Sequence, residues 1–127
     1  MVRRCNILAR CIAVALILVC GAGAPAIAQP GYLQDVTDMP LPAGFTEDSA
    51  AGVAFDKPGG RIIEAAARGT GSVPAVVTFY RNVLPELGWT ESGQAENLVW
   101  QRDGEMLRIE VTGIGAEVAV RFHIAPQ

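Results

Sequence analysis

The chain has 127 residues, with 10 Lys or Arg against 13 Asp or Glu, one histidine, three cysteines and half of its residues hydrophobic. That length suffices for one packed core and is too short for two. The acidic balance argues against nucleic acid and anionic lipid as main partners, because both recruit basic surfaces.

Residues 1–28 place Arg3, Arg4 and Arg10 early, an apolar run at 12–19, and the small-residue ending Ala26-Ile27-Ala28, which is the layout of a secretory signal peptide. A membrane anchor needs about 20 mainly apolar residues, and the run breaks at Gly21-Ala22-Gly23-Ala24-Pro25 short of that. Lipid attachment is the lesser alternative, because Cys20 follows Val19 and Cys11 follows Arg10 where an acylated cysteine needs a small residue before it. The Arg3-Arg4 pair resembles a twin-arginine signal, but the apolar centre fits the general secretory route better. Cleavage after Ala28 is expected, giving an exported chain of 99 residues from Gln29. Its expected location is the periplasm, with secretion or a lipid anchor as alternatives, and without stable membrane insertion once the signal is removed. All three cysteines leave with the signal, so the mature chain is disulfide-free. Three arginines leave as well, so 7 basic residues face 13 acidic ones, a net charge of −6 that favours solubility and, weakly, a basic partner.

Residues 29–51 read as a lead-in. Pro30, Pro40 and Pro42 forbid a helix through much of it, and Met39, Leu41 and Phe45 are scattered anchors, so an extended segment lying across the domain is expected. A single α+β domain is expected over 52–127. Its first elements, Val53-Ala54-Phe55 and Arg61 to Ala67, flank Lys57-Pro58-Gly59-Gly60, where proline presets one turn position and glycine supplies positive φ to the next. This predicts a β-hairpin; Ala65 to Ala67 are equally compatible with helix, and the β-branched Ile62-Ile63 with flanking glycines favours the strand.

Ser72 is placed as an N-cap, and Val73, Val76, Val77, Tyr80, Val83, Leu84 and Leu87 recur at intervals of three and four, which predicts an amphipathic helix that Gly88 stops and Pro85 kinks or tightens near its end. The strands 98–102 and 105–112 are joined by Asp103-Gly104, a two-residue hairpin signal. A second hairpin over Gly113-Ile114-Gly115-Ala116 is expected to pair Thr112 with Glu117, and so Ile109 with Val120 and Leu107 with Phe122. Both registers put Leu98, Trp100, Leu107, Ile109, Val111, Val118, Val120, Phe122 and Ile124 on one face. The predicted architecture is two-layer α+β, one main helix on an antiparallel sheet, in the order β-β-α-β-β-β-β.

The hairpin from Phe55-Asp56-Lys57-Pro58 to Gly60-Arg61-Ile62-Ile63-Glu64, followed by Phe79-Tyr80-Arg81-Asn82-Val83-Leu84-Pro85-Glu86-Leu87-Gly88-Trp89, resembles a group of small uncharacterised exported bacterial proteins. The resemblance spans most of the mature domain and implies its hairpin, helix and meander core; its motifs are fold-forming, and no activity follows from it.

Three constellations are candidate sites. Arg68-Gly69-Thr70-Gly71-Ser72 leads from a strand to a helix N-terminus, where free amides and the dipole receive anions; ordinary turn geometry with a Ser72 cap is the simpler reading. On the sheet face opposite the core, the expected register sets Arg108 beside Arg121 and Met106 beside His123, with Gln101, Val99 and Glu110 near. A solvated face with a local ion pair competes there with a docking surface for an acidic group. His123, the only histidine, lacks the companions of a histidine-rich metal site, and Ser49, Ser72 and Ser92 sit in no nucleophile context, so neither a catalytic nor a metal-binding residue is assigned and no cofactor is expected. The expected function is an exported, non-catalytic binding or accessory module of the bacterial cell envelope, with an envelope protein as partner and its oligomeric state open. The alternatives are a small hydrolase-like enzyme built on converging acids, or a carrier of an apolar ligand in a helix–sheet cleft lined by Tyr80, Trp89 and Trp100.

Overall fold

The computed structural model describes residues 30–94 and 97–127. The signal peptide expected over 1–28, with its three cysteines, lies outside the described residues. Among the described residues one helix packs on one face of an antiparallel sheet, the expected α+β class, with one strand more before the helix than expected. The elements are β1 (Thr46–Glu47), β2 (Val53–Lys57), β3 (Gly60–Thr70), α1 (Val73–Glu86), β4 (Thr90–Glu91), β5 (Leu98–Arg102), β6 (Glu105–Ile114) and β7 (Glu117–Pro126). Among the described residues the sheet has seven strands in the order β1-β3-β7-β6-β5-β4, and β2 pairs with β3 along the same edge as β1.

Alternation explains which face is covered. Side chains of successive strand residues point to opposite sides, so Ile63, Ala65 and Ala67 of β3, Leu98 and Trp100 of β5, Leu107 and Ile109 of β6, and Val118, Val120, Phe122 and Ile124 of β7 all turn inward and are buried. The helix meets them with Val76, Tyr80 and Leu84, spaced by four to form one stripe. Ser72 caps it, its Oγ accepting from the Ala75 N–H at 3.3 Å, and Pro74 sits in the first turn where its missing N–H costs nothing. At the other end Leu87 N–H donates to Leu84 O, Gly88 N–H to Pro85 O and Trp89 N–H to Leu84 O, with Gly88 at φ +85°, a Schellman closure around the tightened Pro85 turn.

The β5–β6 hairpin turns at Asp103 (φ +49°) and Gly104 (φ +79°) as expected, and Trp100 faces Leu107. The next hairpin differs from its expected register by two residues. Gly115 at φ +62° opens a two-residue turn with Ala116, so the strands close on Ile114 with Glu117 and carry Val111 against Val120, Ile109 against Phe122 and Leu107 against Ile124. A two-residue slip preserves every side chain's face, which is why the core set is unchanged while its pairs are not. In the β2–β3 hairpin the positive φ falls on Gly60 (+134°), where the Pro126 ring leaves little room for a Cβ, and not on Gly59.

The lead-in does more than lie across the domain. Tyr32 bridges Pro40 in a local loop, β1 joins the sheet edge, and Leu33, Val36, Met39, Leu41 and Phe45 are all buried in the common core. Phe45 crosses Gly69 so closely that a Cβ there would lie 2.4 Å from its ring, so this glycine serves packing.

Candidate functional site

The helix and the lead-in cover one face of the sheet, and no other described residues cover the opposite face. Directly opposed residues share a face, so the registers of β2, β3, β7, β6 and β5 define its rows. One runs Val53, Glu64, His123, Arg108, Val99; the next Ala66, Arg121, Glu110; the third Arg68, Ala119, Thr112. Arg108 therefore opposes His123, and Arg121 opposes Glu110; the expected facing of Arg108 with Arg121, and of Met106 with His123, is replaced because the Gly115-Ala116 turn is shorter than the loop expected there. Met106 lies opposite Ala125.

The corrected rows reveal a diagonal. Arg68 on β3, Arg121 on β7 and Arg108 on β6 each step one strand over and one row along, and same-face diagonal neighbours lie roughly 7–8 Å apart. Among the described residues none of these three guanidinium groups makes an ion pair, whereas Arg61 meets Asp35 and Asp56, Arg81 meets Glu91, and Arg102 meets Asp38. Glu64 and Glu110 flank the diagonal, and His123 Nδ1 lies 3.4 Å from Glu64 Oε1. Glu64, Arg108, Glu110, Arg121 and His123 line, with Phe122, a shallow depression of about 240 Å³.

The glycine-rich segment is divided by the fold. Arg68, Gly69 and Thr70 are strand, Arg68 turning to the open face, and only Gly71 and Ser72 form the junction to the helix on the covered side. Ser72 has its ordinary capping role there. Arg68 thus joins Arg108, Arg121 and His123, and the structure separates it from Ser72.

A second cluster lies where the lead-in meets the helix end. Arg102, at the end of β5, directs its guanidinium to the Asp38 carboxylate through Nη1 and, at 3.3 Å, through Nη2; Nη1 also donates to Leu87 O at 2.9 Å, and the group lies 4.3 Å from the Trp89 ring centroid. The hydrogen bond to Asp38 holds the arginine's proton more tightly than usual, so the charge is permanent. Tyr80 O–H donates to Pro40 O at 3.2 Å, and burial pushes its phenol pKa far up, so it stays neutral. Tyr80 of the helix, Trp100 of β5 and Trp89 are all buried, and Trp89 and Trp100 back a shallow dip beside Arg81 and Glu91. The Asp38–Arg102 pairing spans 64 residues and leaves no local sequence signal.

Among the described residues there is no group of three His, Cys, Asp or Glu suited to hold a metal ion, and no helix long and apolar enough to cross a membrane. Comparison with protein-family models, curated proteins and solved structures finds no match for this chain.

Proposed function

We propose that the protein is an exported, non-catalytic binding module of the bacterial cell envelope whose open sheet face receives an acidic segment of a partner protein. One observation carries this reading: Arg68, Arg108 and Arg121, the three arginines that make no ion pair among the described residues, lie on one diagonal of the uncovered face. A row of arginines at this spacing suits carboxylates displayed along an extended chain, because each guanidinium offers a planar pair of donors to one carboxylate. Elsewhere the chain is acidic, so the same partner is repelled from its other surfaces and is steered to this one.

The Glu64–His123 pair beside two arginines gives the hydrolase alternative its specific support, since a carboxylate orients a histidine for proton transfer. Its side chains are 59% and 44% exposed, however, and solvent at an open face weakens the electrostatics that catalysis needs. A fluorescent polyglutamate peptide is the probe. The protein is expected to bind it at low salt and release it as salt rises, exposed charges being screened over about 10 Å at 0.1 M ionic strength. The folded Arg108→Gln/Arg121→Gln variant is expected to lose that binding, and binding equal to wild type would overturn the assignment of this face.

A further inference from the structure

We propose that the free edge of β2 pairs with the β2 edge of a second copy of this chain, forming a symmetric dimer with one continuous sheet. Among the described residues β2 pairs only with β3, every one of its residues is exposed, and its two large apolar side chains, Val53 and Phe55, are 41% and 58% exposed. Lys57 and Gly60 close a two-residue hairpin, and hydrogen-bonded pairs alternate from there, so Ala54 and Asp56 point their N–H and C=O groups away from β3. Among the described residues no backbone hydrogen bond reaches them from that side. Such an unpaired edge is a template for strand addition.

The edge favours a register centred on Phe55. A twofold axis normal to the sheet keeps each face continuous, so outward-facing residues must oppose outward-facing residues. Pairing Ala54 with Asp56 of the second copy satisfies the outward N–H and C=O groups of both residues in both copies. It also sets Phe55 against its twin as a non-hydrogen-bonded pair, the closer kind, which suits aromatic contact. Shifting by two residues one way sets Asp56 against Asp56, a like-charge opposition that disfavours that register.

Charge fits as well. In the chosen register Lys57 of one copy lies opposite Val53 of the other, in the same row as Glu64, so its long side chain crosses Val53 toward that carboxylate, and symmetry repeats the contact. The partner's Pro58-Gly59 turn then passes Gly52 and Ala51, whose small side chains leave room for it. The two open faces lie on the same side of the joined sheet. Both arginine diagonals would then address one partner, which is where avidity arises.

Sedimentation velocity on the protein as its own cell produces it tests the pairing. A monomer–dimer equilibrium is expected, and Ala54→Pro is expected to weaken it about tenfold or more, since it removes an N–H that β3 does not use. A single monomeric species at every concentration, or a folded Ala54→Pro variant that dimerises as wild type does, overturns the proposal. Two cysteine variants decide it independently of how Ala54→Pro folds, in a background with the native cysteines changed to serine. Under mild oxidation Phe55→Cys should cross-link to its twin, whose Cα lies about 4.5 Å away in such a pair, while Val53→Cys should not, because it opposes Lys57. Equal cross-linking of both, or of neither, rejects this register.

Discussion

Two side chains, Tyr80 and Arg102, tie distant parts of the chain together, and they do so by different kinds of bond. Tyr80 is the buried one, and its hydroxyl serves Pro40 of the lead-in. Tyr80→Phe removes that donor and leaves a buried carbonyl unpaired, so thermal denaturation should show a loss of about 1–3 kcal/mol. The same residue sets an alkaline limit. Burial holds its folded-state pKa well above the ordinary tyrosine value of about 10, so above about pH 10 the unfolded chain sheds the proton while the folded chain keeps it, and stability falls as pH rises. Denaturation midpoints measured from pH 8 upward should decline more gently in Tyr80→Phe than in wild type. Arg102 bonds Asp38 and Leu87 O and stacks on Trp89 at once. The helix pattern makes Tyr80 legible as a core residue, but its hydroxyl partner and the Asp38–Arg102 pair join positions 40 and 64 residues apart, and periodicity carries no information over such separations.

Elements were legible wherever local chemistry decided them. Ser72, the apolar stripe through Val76, Tyr80 and Leu84, Gly88 and the Asp103-Gly104 turn each act over a few residues and stand where the pattern placed them, while Leu87, expected to end the stripe, is the C-cap. Ser72→Ala should accordingly cost about 1 kcal/mol through loss of the bond to Ala75, read as a lowered melting temperature. The β6–β7 register was less legible, because Gly113-Ile114-Gly115-Ala116 holds two glycines and only the backbone shows that Gly115 takes the positive φ. Alternation fixed the faces, and turn length fixed the pairs. Leu107→Ala on the covered face should therefore cost about 2–5 kcal/mol, and Arg121→Ala on the open face under about 1 kcal/mol. A greater cost for Arg121→Ala would mean that the faces are reversed. The candidate site followed the same division: the residue types on the open face were visible, but the arginine diagonal exists only in the observed register, and Arg68 joins it only because β3 continues to Thr70.

At the scale of the whole molecule, the lead-in decides how the domain is bounded. A helix of 14 residues over a wide sheet leaves part of the covered face bare, and five lead-in side chains, Leu33, Val36, Met39, Leu41 and Phe45, close it. Prolines hid this role in the sequence: Pro30, Pro40 and Pro42 abolish any helical or strand period, so the apolar residues between them looked like isolated anchors. Met39 is fully buried, and an accessory strap would tolerate its truncation where a core member would not. Met39→Ala should cost about 2–5 kcal/mol, comparable with Leu107→Ala, because both remove methylenes from one packed volume. Circular dichroism and tryptophan fluorescence should report a single coincident transition for the variant, since Trp89 lies beneath the Arg102 clamp that holds Asp38. A Met39→Ala variant that melts like wild type, or in two separate steps, would show instead that the lead-in docks on a domain already complete without it.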